Sequence, residues 1–249
     1  MKKIFNLFNQ FHLGDNIFNI HFFNQYSKND DIVFNYYVNP IYFNELEKHI
    51  KNKNIYLHSI NNGIPHNSFN VWIGHNQFYH NWITKNNFYD LFYVDFFKML
   101  STSFGLESKI NTKLDMLFDN STYKVGLNSN YDYLIINSTP MSGQFNYNES
   151  DFINLCDYFN SKKISFITTK KVKNYECTLD YNMSIVDIGN LSNNCRNIVG
   201  VNTAPIITTF TKTNIDKVDK RFILDNTLTY SYNEKIFQIK DLKQIYNFL

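Results

Sequence analysis

The side chains best suited to chemistry in this 249-residue chain sit in three polar loops, each following a strongly apolar run. The first is His12-Leu13-Gly14-Asp15-Asn16. Asp15 is placed to act as a general base, Gly14 lets the backbone approach a ligand closely, and the amides opening the next helix suit an anion or a sugar hydroxyl. Asp and Asn also begin helices as simple caps, and that alternative stays open for Asp15 and Asn16. The second loop, Ser138-Thr139-Pro140-Met141-Ser142-Gly143, offers hydroxyls and amides that suit a phosphate or diphosphate. It lacks the lysine of a P-loop, and no such motif occurs anywhere in the chain. The third, Gly200-Val201-Asn202-Thr203-Ala204-Pro205, puts proline where a helix favours it, so that free amides and the positive dipole end point at a ligand phosphate. A structural turn is the alternative there.

Other clusters are weaker. His66, His75 and His80 lie near Trp72, Tyr79 and Trp82, but no HExxH pattern or carboxylate at ligand spacing accompanies them, so they read as a polar aromatic cleft lining. Neither a GxSxG elbow nor a Cys/His motif for covalent catalysis is present.

Apolar runs alternating with helical patterns position these loops, which favours a layered α/β lobe. Residues 4–8 form the first strand candidate, and Ile17, Ile20, Phe22, Phe23 and Tyr26 recur at helical spacing after the first loop. Further strands are expected at 32–38, 55–60 and 71–73, with a helix at 42–50 and a mostly helical stretch at 78–104 that Gly105 stops. A second set starts with the strand 131–137 and a helix from Glu149, capped by Ser150 and Asp151, whose Phe152, Leu155, Cys156 and Phe159 share one face. Strands at 164–168, 184–188 and 197–201 follow, and the tail 235–249 reads as a final helix that packs back onto the first lobe. The linker at 119–130 divides two lobes. In parallel sheets ligands bind at the carboxyl ends of strands, where all three polar loops lie.

Composition bounds the class. Hydrophobic residues make up 43% and aromatic residues 18%, enough for packed cores. The net charge of +2 argues against a nucleic-acid partner. The densest basic stretch, Lys212, Lys217, Lys220 and Arg221, is interleaved with Asp216 and Asp219 and reads as a solvated face. Cys156, Cys177 and Cys195 read as reduced, packed thiols of a reducing compartment. No segment reaches the roughly 20 apolar residues of a membrane span. A soluble, cytoplasmic protein is expected, with peripheral membrane contact left open.

The three loops, in this order and separation, resemble the GT-B glycosyltransferases, in particular glycosyltransferase family 9, the heptosyltransferase-like enzymes. The resemblance rests on the small-Gly-Asp turn Leu13-Gly14-Asp15, on the strand, loop and helix running from Leu134 to Asn160, and on Val201-Asn202-Thr203-Ala204-Pro205. It implies two Rossmann-like lobes, an acceptor-side domain at 1–122 and a nucleotide-sugar domain at 123–249, with parallel sheets facing a central cleft. It implies that Asp15 deprotonates an acceptor hydroxyl in an inverting displacement without metal or other cofactor. Gly14, Ser138, Thr139, Ser142, Asn202, Thr203, Ala204 and Pro205 would hold the donor, Asp187 and Gly189 would lie near its base, and His12, Asn16, Trp72 and His75 would face the acceptor. The partners implied are a nucleotide sugar and a glycan or lipid-linked acceptor.

The chain departs from the family in two places. Gln144-Phe145 and Ile206-Ile207 stand where the family carries a donor-loop Lys or Arg and a late His, leaving Lys124, Lys170 or Arg196 to replace the cation. A non-catalytic binding protein of the same architecture and a nucleotide-sugar epimerase are the alternative readings.

Overall fold

The computed structural model describes residues 2–26, 29–74, 96–106, 130–141, 143–211, 214, 217–226 and 234–249. The chain forms two compact units, Met1–Lys113 and Leu114–Leu249. The linker expected at 119–130 lies almost wholly outside the described residues, as does most of the stretch expected to be helical at 78–104.

In the first unit, β1 (Lys3–Asn9), β2 (Ile32–Val38), β3 (Ile55–Ser59) and β4 (Phe69–Asn70) form a parallel sheet in the order β3-β2-β1-β4. The strand expected at 71–73 is displaced to β4. Val71 is still tied to the sheet, its amide donating to the Phe8 carbonyl at 3.0 Å. Helix α1 (Leu13–Asn24) follows β1, α2 (Phe43–His49) follows β2, and α3 (Phe96–Ser103) ends before Gly105, whose φ of +57° suits a residue without Cβ. Apolar residues surround much of α1, so Ile17, Phe18, Ile20, Phe22 and Phe23 are all buried. Phe23 stacks on Phe34 of β2 at 4.7 Å. Each such ring contributes roughly 1.5–3 kcal/mol by leaving water.

In the second unit, β5 (Tyr131–Ile136), β6 (Phe166–Thr168), β7 (Cys195–Val201), β8 (Lys220–Leu224) and β9 (Ile236–Ile239) are all parallel, in the order β6-β5-β7-β8-β9. Gly200 lets β5 and β7 approach closely, since a Cβ there would stand 2.5 Å from Ile136 Cβ and 3.0 Å from its carbonyl oxygen. Helix α4 (Glu149–Ser161) buries Phe152, Leu155, Cys156 and Phe159, the four residues that the spacing puts on one face. Its cap is Asn148 rather than Ser150 or Asp151, because the Asn148 side chain accepts from the Ser150 amide at 3.2 Å. The three cysteines are free and buried, and burial pushes the Cys156 and Cys195 thiols up to about 12.

Three further expectations for this unit fail, the first through a local cap and the other two through tertiary partners. Residues 184–188 open helix α5 (Ile185–Leu191), because Ser184 and Asp187 form a reciprocal capping box that outweighs the β-branched pair Ile185-Val186. The tail is not one helix: it forms β9 and then a 3-10 turn over Leu242–Phe248, and Leu242 and Ile245 join the second unit's core. Arg221 is not on a solvated face but 3% exposed within β8. Its guanidinium donates to Thr209 Oγ1 at 2.6 Å and Asn214 Oδ1 at 3.1 Å and lies over the Phe210 ring. Burial lowers its pKa to about 9.

Candidate active site

Both sheets reverse their strand order at a switch point. In the first unit the chain moves outward from β1 through β2 to β3 and then returns to β4 on the other side of β1. In the second it moves from β5 to β6 and returns to β7. Such points open a crevice at the carboxyl ends of the two strands beside the reversal. The three predicted loops leave these strands: β1 in the first unit, β5 and β7 in the second.

At the first switch point the exits of β1 and β4 share one device. Asn9 Oδ1 accepts from the Phe11 amide at 2.9 Å, and Asn70 Oδ1 accepts from the Trp72 amide at 2.9 Å. Each asparagine thus bends its own chain through an Asx turn. The two residues so presented, Phe11 and Trp72, stack at 3.9 Å. Trp72 Nε1 then donates to Asp15 Oδ2 at 3.0 Å. Asp15, the third residue of α1, does not cap the helix: His12 stands at the N-cap and makes no side-chain cap bond. Oδ1 of Asp15 takes no hydrogen bond among the described residues. Burial pushes this half-buried carboxyl up to about 7, and the Trp72 bond opposes the rise.

Asn16, expected on the acceptor side, is fully buried and serves the frame instead. Its Nδ2 donates to the carbonyls of Phe11 and His12, and its Oδ1 accepts from the Tyr36 hydroxyl at 2.5 Å. Asn19 donates to the same hydroxyl at 2.8 Å. Gly14 and His12 are half-buried in the turn. His75 lies outside the described residues.

At the second switch point, buried Asn137 joins the exits of β5 and β6. Its Oδ1 accepts from the Lys170 amide at 2.7 Å and its Nδ2 donates to the Lys170 carbonyl at 3.1 Å. Exposed Lys170 extends along the loop, where Nζ donates to Thr139 Oγ1 at 2.8 Å and lies 5.9 Å from the centre of the Tyr147 ring. Ser138 is half-buried and Thr139 exposed; Ser142 lies outside the described residues. Gln144 crosses to the β7 exit, donating to the Asn202 carbonyl at 2.6 Å. The Asn202 side chain donates to Asp225 Oδ2 at 2.7 Å, and Thr203 Oγ1 donates to the Val201 carbonyl at 3.1 Å. Short helix α6 (Ala204–Thr208) begins there with Pro205 in its first turn, as expected.

Asp187 and Gly189 stand in α5, which packs against α6 where Thr208 Oγ1 donates to the Ile185 carbonyl at 3.1 Å, and neither bonds to these loops among the described residues. Asp187 accepts from the Ser184 amide and hydroxyl at 2.9 and 2.6 Å, and Gly189 is buried inside α5. Among the candidate replacement cations, Lys124 lies outside the described residues. Arg196 sits at the opposite end of β7, 3.4 Å from Asp219 and 3.8 Å from Asp132. Lys170 alone of the described pair reaches a donor loop. Asp225 escapes sequence reasoning because the strand before it, β8, does. Among the described residues no three of His, Cys, Asp and Glu gather as a metal site would need, and no helix is long and apolar enough to cross a membrane.

No protein-family model and no curated protein matches the sequence. Solved structures do match. The iron-containing dodecameric glycosyltransferase TibC from enterotoxigenic E. coli aligns with a TM-score of 0.53 at 9% identity, over 96% of this chain and 62% of that one. This chain therefore spans less than two thirds of TibC. The E. coli heptosyltransferase WaaC with ADP aligns with a TM-score of 0.51 at 9% identity, over 99% of this chain and 96% of its own. A glycosyl transferase family 9 protein from Veillonella parvula aligns with a TM-score of 0.52 at 10% identity, over 98% and 88% of the two chains. With its two parallel sheets, the chain has the GT-B-like α/β fold of these heptosyltransferase and family 9 structures.

Proposed function

We propose that the chain is an inverting glycosyltransferase that moves a sugar from a nucleotide diphosphate donor to a hydroxyl acceptor. The observation that carries this reading is the Asp15 carboxyl: one oxygen is fixed by Trp72, the other accepts no hydrogen bond among the described residues, and its pKa of about 7 suits a general base at neutral pH. The donor class is supported by the fold shared with WaaC, solved with ADP, and with TibC, solved in complex with ADP-D-β-D-heptose.

In this mechanism Asp15 Oδ1 takes the proton of the acceptor hydroxyl as that oxygen attacks the anomeric carbon. The bond from that carbon to the diphosphate oxygen breaks, and its electron pair leaves on the diphosphate. A single displacement inverts the anomeric centre. Ser138, Thr139 and the amides at Thr203 and Ala204 hold the diphosphate, and Lys170 supplies the cation that Gln144 cannot. This assignment uses no metal ion. Buried, unpaired thiols at Cys156, Cys177 and Cys195 accord with a reducing, cytoplasmic setting.

The test is a screen of nucleotide diphosphate sugars by thermal shift and by donor hydrolysis, comparing the wild type with Asp15→Asn. Stabilisation by a nucleotide, with turnover in the wild type alone, is the expected result. No shift with any nucleotide removes the reading, and equal rates in the two proteins remove Asp15 from it.

A further inference from the structure

The first unit carries a second concavity on the same carboxyl edge of its sheet. It is an open pocket of about 490 Å³ at the ends of β2 and β3, lined by Tyr37, His58, Ser59, Asn62, Gly63 and Pro65 among others. That volume lies within the roughly 300–1,000 Å³ of small-molecule sites. None of the side chains considered so far enters it, and β2 lies directly beside β1, which carries the Asp15 turn.

Its walls are preformed. Sheet register sets Tyr37 opposite His58, and their rings stack at 4.9 Å and 25°. His58 Nε2 lies 3.3 Å from Asn35 Oδ1, and Asn35 Nδ2 donates to Asn6 Oδ1 at 3.0 Å, so the imidazole is held from behind by a side-chain ladder. Ser59 Oγ accepts from the Asn61 amide at 3.1 Å and keeps its own proton to donate. Asn62 is exposed and brings both a donor and an acceptor. Gly63, at φ +91°, has nothing within 4 Å of where a Cβ would stand, so the lining is open at that point.

Among the described residues the lining contains aromatic, aliphatic, hydroxyl and amide groups but no Lys, Arg, Asp or Glu. A phosphate or carboxylate entering it would lose water and find no Lys or Arg among the described lining to pair with. An uncharged sugar ring meets no such cost: its C–H face packs against the stacked Tyr37–His58 pair at one free ring face, and its hydroxyls exchange hydrogen bonds with Ser59 and Asn62. We infer that this pocket is a subsite for a neutral pyranose, and, resting on the glycosyl-transfer reading above, that the pyranose belongs to the acceptor. The acceptor is then a neutral glycan at this point rather than a phosphorylated or acidic one.

Saturation-transfer NMR on the full chain tests this, with the methyl glycosides of glucose, galactose, mannose and N-acetylglucosamine as probes, and methyl glucuronide and glucose 6-phosphate as charged counterparts. At least one neutral glycoside is expected to show transfer, the charged probes none. His58→Ala and Asn62→Ala should each weaken the signal at least about fivefold, the loss of one ring contact or one hydrogen bond. Asn62 is exposed, so its variant folds as the wild type does; a circular dichroism melt checks both. Charged probes binding as well as neutral ones, no binding of any neutral glycoside, or undiminished signals in folded variants would overturn the subsite. Donor hydrolysis by the wild type, measured without any glycoside, separates the two claims. Glycoside binding without hydrolysis of any donor upholds the pocket and removes the transfer reading; hydrolysis without glycoside binding does the reverse.

Discussion

Trp72 Nε1 lies 3.0 Å from Asp15 Oδ2, a bond that spans 57 residues of sequence and ties the exit of β4 to the first turn of α1. It stabilises the charged carboxylate against the burial that disfavours it. The kcat/KM of the wild type should therefore rise with pH to a plateau above about 7, where Asp15 is deprotonated. In Trp72→Phe the midpoint should move up by about half to one pH unit, the change set by a hydrogen bond worth roughly 1 kcal/mol. A pH–rate profile of both proteins checks this; an unmoved midpoint with a lowered plateau would leave Trp72 only a packing role.

Asp15→Asn should lower transfer by about 10²–10⁴-fold, the range for loss of a general base. Its effect on stability runs the other way. The folded-state pKa of about 7 lies above the ordinary 3.8, so between these values the unfolded chain is ionised while the folded one keeps its proton. This group's contribution is complete below about pH 4 and lost as pH rises through 7. The variant should match the wild type near pH 4 and exceed it at pH 8 by on the order of 1–4 kcal/mol. Denaturant melts at the two pH values decide it.

Lys170→Ala should weaken nucleotide diphosphate binding by about 10–100-fold, the scale of a hydrogen bond to a charged group. Lys170→Arg should retain most of the affinity, and a chelator should leave wild-type turnover unchanged. Calorimetric titration with nucleotide diphosphates and assays with and without EDTA measure these outcomes.

Gly200→Ala should destabilise the second unit by about 1–3 kcal/mol, because the added methyl meets Ile136 Cβ and a backbone carbonyl that has no room to yield. Thermal melts provide the readout; an unchanged melting temperature would mean that β5 and β7 part more easily than their register suggests.

Much of this arrangement could be read from local pattern. The bounds of β2 and the buried face of α4 follow from apolar spacing, and the loops around Asp15, Thr139 and Thr203 stand out because each leaves an apolar strand. Most of what escaped depends on partners distant in sequence, the local cap at Ser184 being the exception. Arg221 looked solvated because Thr209 and Asn214, the neutral acceptors that let it lie buried in β8, come from other segments. Residues 184–188 looked like a strand because Ile185 and Val186 are β-branched, whereas the Ser184–Asp187 capping box starts a helix. Trp72 could be placed near the acceptor by type, but its bond to Asp15 requires β4 to lie beside β1. Lys170 was one of three candidate cations until the Asn137 stitch between β5 and β6 brought it to Thr139.

That stitch has an entropic consequence. A lysine side chain free in water loses up to about 2 kcal/mol of rotamer freedom when it is ordered. Lys170 is held at its backbone by Asn137 and at its ammonium by Thr139 before any ligand arrives. The cation is thus preorganised, and more of its attraction for a phosphate is left to appear as affinity.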